Sequence, residues 1–435
     1  MTFEQLGLTP TLLKALADSG YTEPTSIQAM AIPEALAGHD LMASAQTGTG
    51  KTAAFMLPSL NRICTPSAVR SRGPRVLVLA PTRELATQVA DAAKSYGKYI
   101  RLSVMTLLGG MSYYKQNQML AKPIDIMVAT PGRLMDQMAR GRVDFSRLEV
   151  LVLDEADRML DMGFIDDVRR IAAETPDSRQ TLLFSATLDG QIGVLAKQLL
   201  KNPKLIQASA ITERHEHIEQ QLFYSDDYAH KNRMLQHVLR GTELRQAVVF
   251  TATKRDADDL AVSLQSEGFS AAALHGDMNQ SMRNRTLMNL RRGALKVLVA
   301  TDVAARGIDV QNISHVINFD LPRDTENYVH RIGRTGRAGA SGLAISFVSG
   351  KDQNMVRRIE RYIGQRIKTH VIPGMEPRKQ AVRAGRTEGR GRSSQPNGAR
   401  PVGKPGFKRH ERRPGGASQT GAQSRSQRQN NVVPS

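Results

Sequence analysis

Two short runs carry residue types that together perform phosphate chemistry: AQTGTGKT at 45–52 and DEAD at 154–157. A Gly-rich turn ending in Lys-Thr offers backbone N–H groups to a polyphosphate, here along Ala45, Gln46, Thr47, Gly48, Thr49 and Gly50. Lys51 reaches toward the β and γ phosphates, and the Thr52 hydroxyl can ligate Mg²⁺. The acidic pair closing the apolar run VLVLDE (150–155) adds one carboxylate for the metal and one for a water. The combination implies hydrolysis of a nucleoside triphosphate. Ala45 stands where the general phosphate-loop pattern has its first glycine, so the match is slightly imperfect.

Such groups need a scaffold that holds them at one edge. Short aliphatic runs recur between helix-like stretches and read as buried parallel strands. In the first half they are DLMAS (40–44), RVLVLAP (75–81), SVMTLLGG (103–110), DIMVAT (125–130), VLVLDE and TLLFSAT (181–187). The second half has AVVFTAT (247–253), SAAALHG (270–276), KVLVATD (296–302), HVINFD (315–320) and LAISFVS (343–349). Strand–helix alternation predicts an α/β fold with two doubly wound parallel sheets in tandem, joined near 208–217. The expected division is 1–208, 217–376 and a tail, 377–435. Nearly every run ends in small or polar residues, and open parallel sheets bind ligands beyond the carboxyl ends of their strands. Two such edges facing each other would form a cleft.

Charge and composition narrow the partners. The 435 residues hold 60 Lys+Arg and 41 Asp+Glu, a net of +19. Of these, 14 basic and 2 acidic residues fall in 377–435, a segment rich in Gly, Ser, Gln, Pro and Arg. That composition buries too little apolar surface to offset its ordering entropy, so a disordered basic tail is expected. A polyanion is its natural partner, and a solubilising role is the alternative. The single cysteine, Cys64, excludes an internal disulfide and reads as a small apolar filler. PSAVRSRGPR (66–75) reads as a solvated basic loop. MTFEQLGLTP lacks the pattern of a secretory signal, and no apolar run is long enough to span a bilayer, so a cytoplasmic protein is expected.

The order of these motifs resembles that of the DEAD-box ATP-dependent RNA helicases of helicase superfamily 2, and among bacterial members the RhlE type. The resemblance covers about 3–349. It rests on GYTEPTSIQ (20–28), AQTGTGKT, PTRELA (81–86), the Gly109-Gly110 pair, TPGR (130–133), DEAD, SAT (185–187), VATDVAARGID (299–309) and HRIGRTGR (330–337). The family also carries Ala at the position of Ala45. The resemblance implies two RecA-like domains, ATP and Mg²⁺ as cofactors, and RNA as the polymer.

Residue roles follow by position. Asp154 would hold Mg²⁺ with Thr52, and Glu155 would orient or deprotonate the attacking water. Arg334 and Arg337 match the family's arginine fingers, approaching from the second domain; an Arg-rich loop is otherwise often only a solvated or RNA-facing surface. Ser185 and Thr187 would couple hydrolysis to strand separation, and Asp309 would meet the ribose. Gln28 suits the adenine edge, Tyr21 can stack on the ring, and Phe3 is the upstream aromatic; PTSIQ is at the same time a good helix-capping turn. Thr82, Arg83, Gly110, Thr130, Arg133, Thr253, Gly276, Arg283 and Thr301 match positions that grip the sugar–phosphate backbone, which implies binding without base readout.

The expected activity is RNA-stimulated ATP hydrolysis coupled to domain closure, local duplex unwinding and RNA–protein remodelling. The alternative is an ATP-gated RNA clamp that serves as an assembly platform. A DNA helicase on the same plan and a small-molecule kinase are further classes, the last having no need of a second sheet. Ribosome-assembly or RNA-decay proteins are the expected protein partners, with no membrane, and the chain is expected to act as a monomer.

Overall fold

The computed structural model describes residues 1–44, 49–188, 190–207, 217–305, 313–336 and 341–378. Ala45, Gln46, Thr47, Gly48, Asp309, Arg337 and nearly all of the basic tail lie outside the described residues.

In the first lobe the strands are β1 (Leu41–Ser44), β2 (Val76–Leu79), β3 (Val104–Leu107), β4 (Ile126–Ala129), β5 (Val150–Leu153), β6 (Gln180–Ser185) and β7 (Lys204–Gln207). They form a parallel sheet in the order β3-β4-β2-β5-β6-β1-β7. The second lobe adds β8 (Ile218–Tyr224), β9 (Ala247–Phe250), β10 (Ala271–Leu274), β11 (Val297–Ala300), β12 (His315–Asn318), β13 (Gly342–Val348) and β14 (Lys368–His370). Their order, β10-β11-β9-β12-β13-β8-β14, is that of the first sheet with every strand replaced by its counterpart seven strands on. The chain therefore folds the same topology twice.

Central strands β2, β4, β5, β9, β11 and β12 are buried at every position, which is why they are continuous apolar runs. Helices cover both faces. Phe55, Phe184 and Leu41 pack on one side of the first sheet, and Leu151, Met127 and Val168 on the other. Phe319, Phe347 and Ile317 fill one side of the second sheet, with Phe250 and Leu298 opposite.

Two loop expectations are corrected. Cys64 is an exposed residue capping the end of the helix Lys51–Ile63, not a core filler. Arg75 is not solvated. Its Nε and Nη2 donate to Glu149 at 2.6 and 3.1 Å, and its remaining N–H groups cap the carbonyls of Arg62, Ile63 and Thr65. Arg75 and Glu149 immediately precede the paired strands β2 and β5, so strand register brings the two charges together. Helix-end carbonyls then satisfy the rest of the guanidinium.

Candidate functional site: a nucleotide pocket and a groove across two lobes

The phosphate loop leaves β1 and enters the helix Lys51–Ile63, so the N–H groups of a helix N-terminus point at whatever the loop holds. Gly50 caps that helix at φ 90°, a conformation that favours glycine. A Cβ there would lie 2.3 Å from Gln28 Nε2. The closeness has a cause: Gln28 Nε2 donates to the Gly50 carbonyl at 3.1 Å, and Thr25 Oγ1 donates to the Thr49 carbonyl at 2.8 Å. Gln28 Oε1 accepts the Thr25 backbone N–H at 3.0 Å, closing a capping box at the start of the helix Ser26–Leu36. The GYTEPTSIQ segment thus grips the backbone of the phosphate loop, and the Gln28 amide keeps one N–H and one lone pair for a further partner. Tyr21 stands edge-on to Phe3 and to Tyr96, at ring-centroid distances of 6.4 and 5.8 Å, and its hydroxyl lies 3.1 Å from that of Tyr96. Phe3 is buried, while Tyr21 is open on one side.

Strand order sets the carboxylates beside this loop. β6 lies between β5, which ends in DEAD, and β1, which ends in the phosphate loop. Ser44 and Ser185 are in register, Ser44 Oγ donates to the Ala186 carbonyl at 3.3 Å, and the Asp157 N–H donates to Ser185 Oγ at 3.3 Å. The SAT segment is the physical bridge between the two phosphate motifs; Thr187, its last residue, is half-buried. Asp154, Glu155 and Lys51 are all buried. Burial pushes the Asp154 carboxyl up to about 7, with Glu155 and Asp157 adding to the rise and Lys51 opposing it. Asp154 Oδ1 has no hydrogen-bond partner among the described residues. A buried acidic oxygen left this way suits a hard cation, and the Thr52 hydroxyl at the start of the helix Lys51–Ile63 could supply a second oxygen. Glu155 adopts φ 53°, ψ 54°, unusual for a residue with a side chain and costing about 1–3 kcal/mol. That backbone helps turn the chain from β5 into the helix Ala156–Asp161 within two residues, Asp154 and Glu155.

In the second lobe Arg334 is buried after the helix Thr325–Ile332, its Nε donating to the His330 carbonyl at 3.2 Å. It lines a small cleft with Asn327, His330, Arg331, Asp302 and Phe250. Arg331 has a structural task. It pairs with Asp302 through two contacts of 2.5 and 2.9 Å, donates to Asn318 Oδ1, and lies over the Phe250 ring. The same helix meets the first lobe: Arg158 Nη1 donates to Asn327 Oδ1 at 2.7 Å. The residue after DEAD therefore contacts the helix that leads to Arg334.

The remaining strand ends form a groove of about 500 Å³, lined from both lobes by Thr82, Arg83, Thr130, Arg133, Gly276 and Arg283 among others. Gly109 lines it directly, and Gly110 is next in the chain. A Cβ on Gly110 would lie 2.4 Å from Arg83 Nη1, so the glycine pair makes room for this guanidinium. Thr82 and Thr253 cap equivalent helices after the equivalent strands β2 and β9. Thr130 and Thr301 likewise follow β4 and β11. Arg133 is more enclosed than a free phosphate gripper: its Nη1 donates to the Met111 carbonyl and to Gln116 Oε1, at 3.0 and 2.7 Å. Burial pulls the Arg83 guanidinium below its ordinary pKa range, opposed by Glu84 and reinforced by Arg283 and Arg133. Three arginines influencing one another make the groove attractive to a polyanion.

Glu84, Gln280, Arg158 and Asn327 escaped the sequence reading, as did the contacts that Arg83 and Arg283 make across the lobes. Arg283 Nε and Nη2 lie 2.8 and 2.7 Å from Glu84 Oε1, and Arg83 Nη1 donates to Gln280 Oε1 at 2.9 Å, both across the lobes. Glu84 sat inside PTRELA, but nothing local marks its partner. The signal for Arg158 and Asn327 was equally weak.

Residues 25–193 match the DEAD/DEAH box helicase family, and 230–339 match the helicase conserved C-terminal domain. The ATP-dependent RNA helicase SrmB of Escherichia coli is 45% identical over 381 residues, spanning 87% of this chain and 86% of that protein. SrmB of Haemophilus influenzae is 44% identical over 384 residues, 88% of each chain. Among solved structures, S. cerevisiae Dbp5 bound to RNA and ADP BeF3 superposes with a TM-score of 0.77 at 35% identity, over 85% of this chain and 95% of that one. Mss116p bound to ssRNA and AMP-PNP gives 0.78 at 29% identity, over 86% and 81%. With motifs, doubled sheet topology and relatives in agreement, the chain belongs to the DEAD-box ATP-dependent RNA helicases.

Proposed function

We propose that ATP is hydrolysed when the two lobes close over a single RNA strand, and that this closure opens short duplexes and remodels RNA–protein complexes. The observation that carries the reading is the pair of cross-lobe contacts, Glu84–Arg283 in the groove and Arg158–Asn327 beside DEAD. A strand lying in the groove and a nucleotide in the pocket would each favour the same closed arrangement, which couples their binding. Dbp5 and Mss116p hold RNA together with a nucleotide or its analogue, and their folds superpose on this one.

The roles divide between the lobes. Thr49, Gly50 and Lys51 cradle the phosphates with the preceding loop residues, while Gln28, Tyr21 and Phe3 form the base side of the pocket. Glu155 orients the water and accepts its proton. Arg334, and Arg337 beyond the described residues, neutralise charge that grows on the phosphates. Asp154 and Thr52 fit Mg²⁺, which when bound supplies charge neutralisation at the phosphates. Thr82, Arg83, Gly110, Thr130, Arg133, Thr253, Gly276, Arg283 and Thr301 contact the RNA backbone, and Ser185 and Thr187 transmit closure. The functional domains run 1–208 and 217–376, acting as a monomer in the cytoplasm; among the described residues no helix is long and apolar enough to cross a membrane.

The test compares wild type with Glu155→Gln, measuring ATPase rate without polymer, with RNA and with DNA. RNA should stimulate wild type well above DNA. The variant should lose about 10²–10⁴-fold in turnover while still binding ATP and RNA. Equal stimulation by DNA, or hydrolysis surviving in the variant, would contradict the reading.

A further inference from the structure

Next to the groove lies an aromatic surface that backbone gripping does not use. Tyr113 lines the groove and is 40% exposed; Tyr114 beside it is 70% exposed, and Met111 is open as well. Tyr113 is held firmly. Its hydroxyl donates to Asp136, and the guanidinium carbons of Arg133 and Arg140 lie 4.1 and 4.9 Å from its ring centroid. Positions 133, 136 and 140 share one stripe of the helix Pro131–Ala139 and its cap, so the ring lies along that stripe in contact with both arginines. Tyr113 stays exposed despite these contacts. Two cations against an exposed aromatic ring, with Lys115 exposed nearby, are the makings of a nucleic-acid stacking surface.

We propose that Tyr113, extended by Tyr114, forms a shelf at the first-lobe rim of the groove on which one unpaired nucleobase of the RNA stacks. This rests on the RNA-groove reading above and adds a contact to a base where the other contacts go to sugar and phosphate. Stacking uses the π-face that every base has, so the shelf favours an unpaired base without reading its identity. A paired base stays in its own stack, so the shelf rewards local opening of a duplex. Continuity with the groove and the positive charge against the ring select a nucleic acid over an apolar protein segment as the occupant.

The test uses the full chain with a non-hydrolysable ATP analogue and RNA dodecamers in which one ribose at a time carries no base. Binding is followed by fluorescence anisotropy for wild type, Tyr113→Phe, Tyr113→Ala and the double variant Tyr113→Ala/Tyr114→Ala. At one position, loss of the base should weaken wild-type binding roughly 5- to 100-fold, the range for one stacked base. Tyr113→Phe should keep that sensitivity. Both alanine variants should lose it, binding intact and abasic strands alike. Were every abasic position as tight as intact RNA in wild type, or the sensitivity unchanged in the double variant, the shelf would be disproved. Intact RNA that neither binds wild type nor stimulates its ATPase would instead overturn the RNA-groove reading and the shelf with it.

Discussion

Arg283 reaches across the two lobes to one oxygen of Glu84, with Nε at 2.8 Å and Nη2 at 2.7 Å, and both side chains are buried. Arg283 Nη1 donates to the carbonyl of His275 in its own lobe, so the arginine is anchored on one side and engaged on the other. Removing one partner of a buried pair is costly, about 3–5 kcal/mol, because the other charge is left without compensation. Here the lobes can part and rehydrate the charge, so the loss should fall on closure.

Glu84→Ala and Arg283→Ala should each lower RNA-stimulated ATPase by about tenfold or more, with thermal stability little changed. The double variant should be no worse than the poorer single one. A double-mutant cycle would show coupling of about 1–3 kcal/mol; additive losses would mean that the two residues act separately.

How far the sequence foretold this arrangement depends on the reach of each signal. The central strands were legible because a strand covered on both faces must be apolar throughout. The edge strands β7 (KLIQ) and β14 (KTH) and the alternating β8 (IEQQLFY) were not foreseen, since partial exposure breaks such runs. The phosphate loop and DEAD were legible because their chemistry is local. Glu84 and Arg283 lie 199 residues apart; the resemblance put Arg283 on the RNA backbone, but nothing local to either residue pairs the two. The burial of Arg75 failed to appear for the same reason: its partner Glu149 is brought near only by strand pairing.

Gly110→Ala tests the packing of the groove. The new Cβ would stand 2.4 Å from Arg83 Nη1 at a backbone φ of 72°. Either Arg83 withdraws or the loop shifts. RNA affinity should fall by about tenfold, near the 1–3 kcal/mol of a strained position, while ATP affinity without RNA stays as in wild type. Equal loss of both, measured by titration, would point to general unfolding of the lobe.

The basic segment 377–435 should add a non-specific electrostatic tether, given its 14 Lys+Arg against 2 Asp+Glu. Its deletion should weaken RNA binding and flatten the plot of log affinity against log salt, with turnover at saturating RNA near normal. An unchanged slope would reduce the segment to a solubility device.

The central claim is that hydrolysis requires groups from both lobes. Its most direct test is single-turnover ATP hydrolysis by Arg334→Ala at saturating RNA, with ATP affinity measured in parallel. Loss of an arginine that meets the phosphates should cut the rate by about 10³-fold or more, with ATP affinity within a few-fold of wild type. Hydrolysis at the wild-type rate, with RNA stimulation intact, would contradict the account.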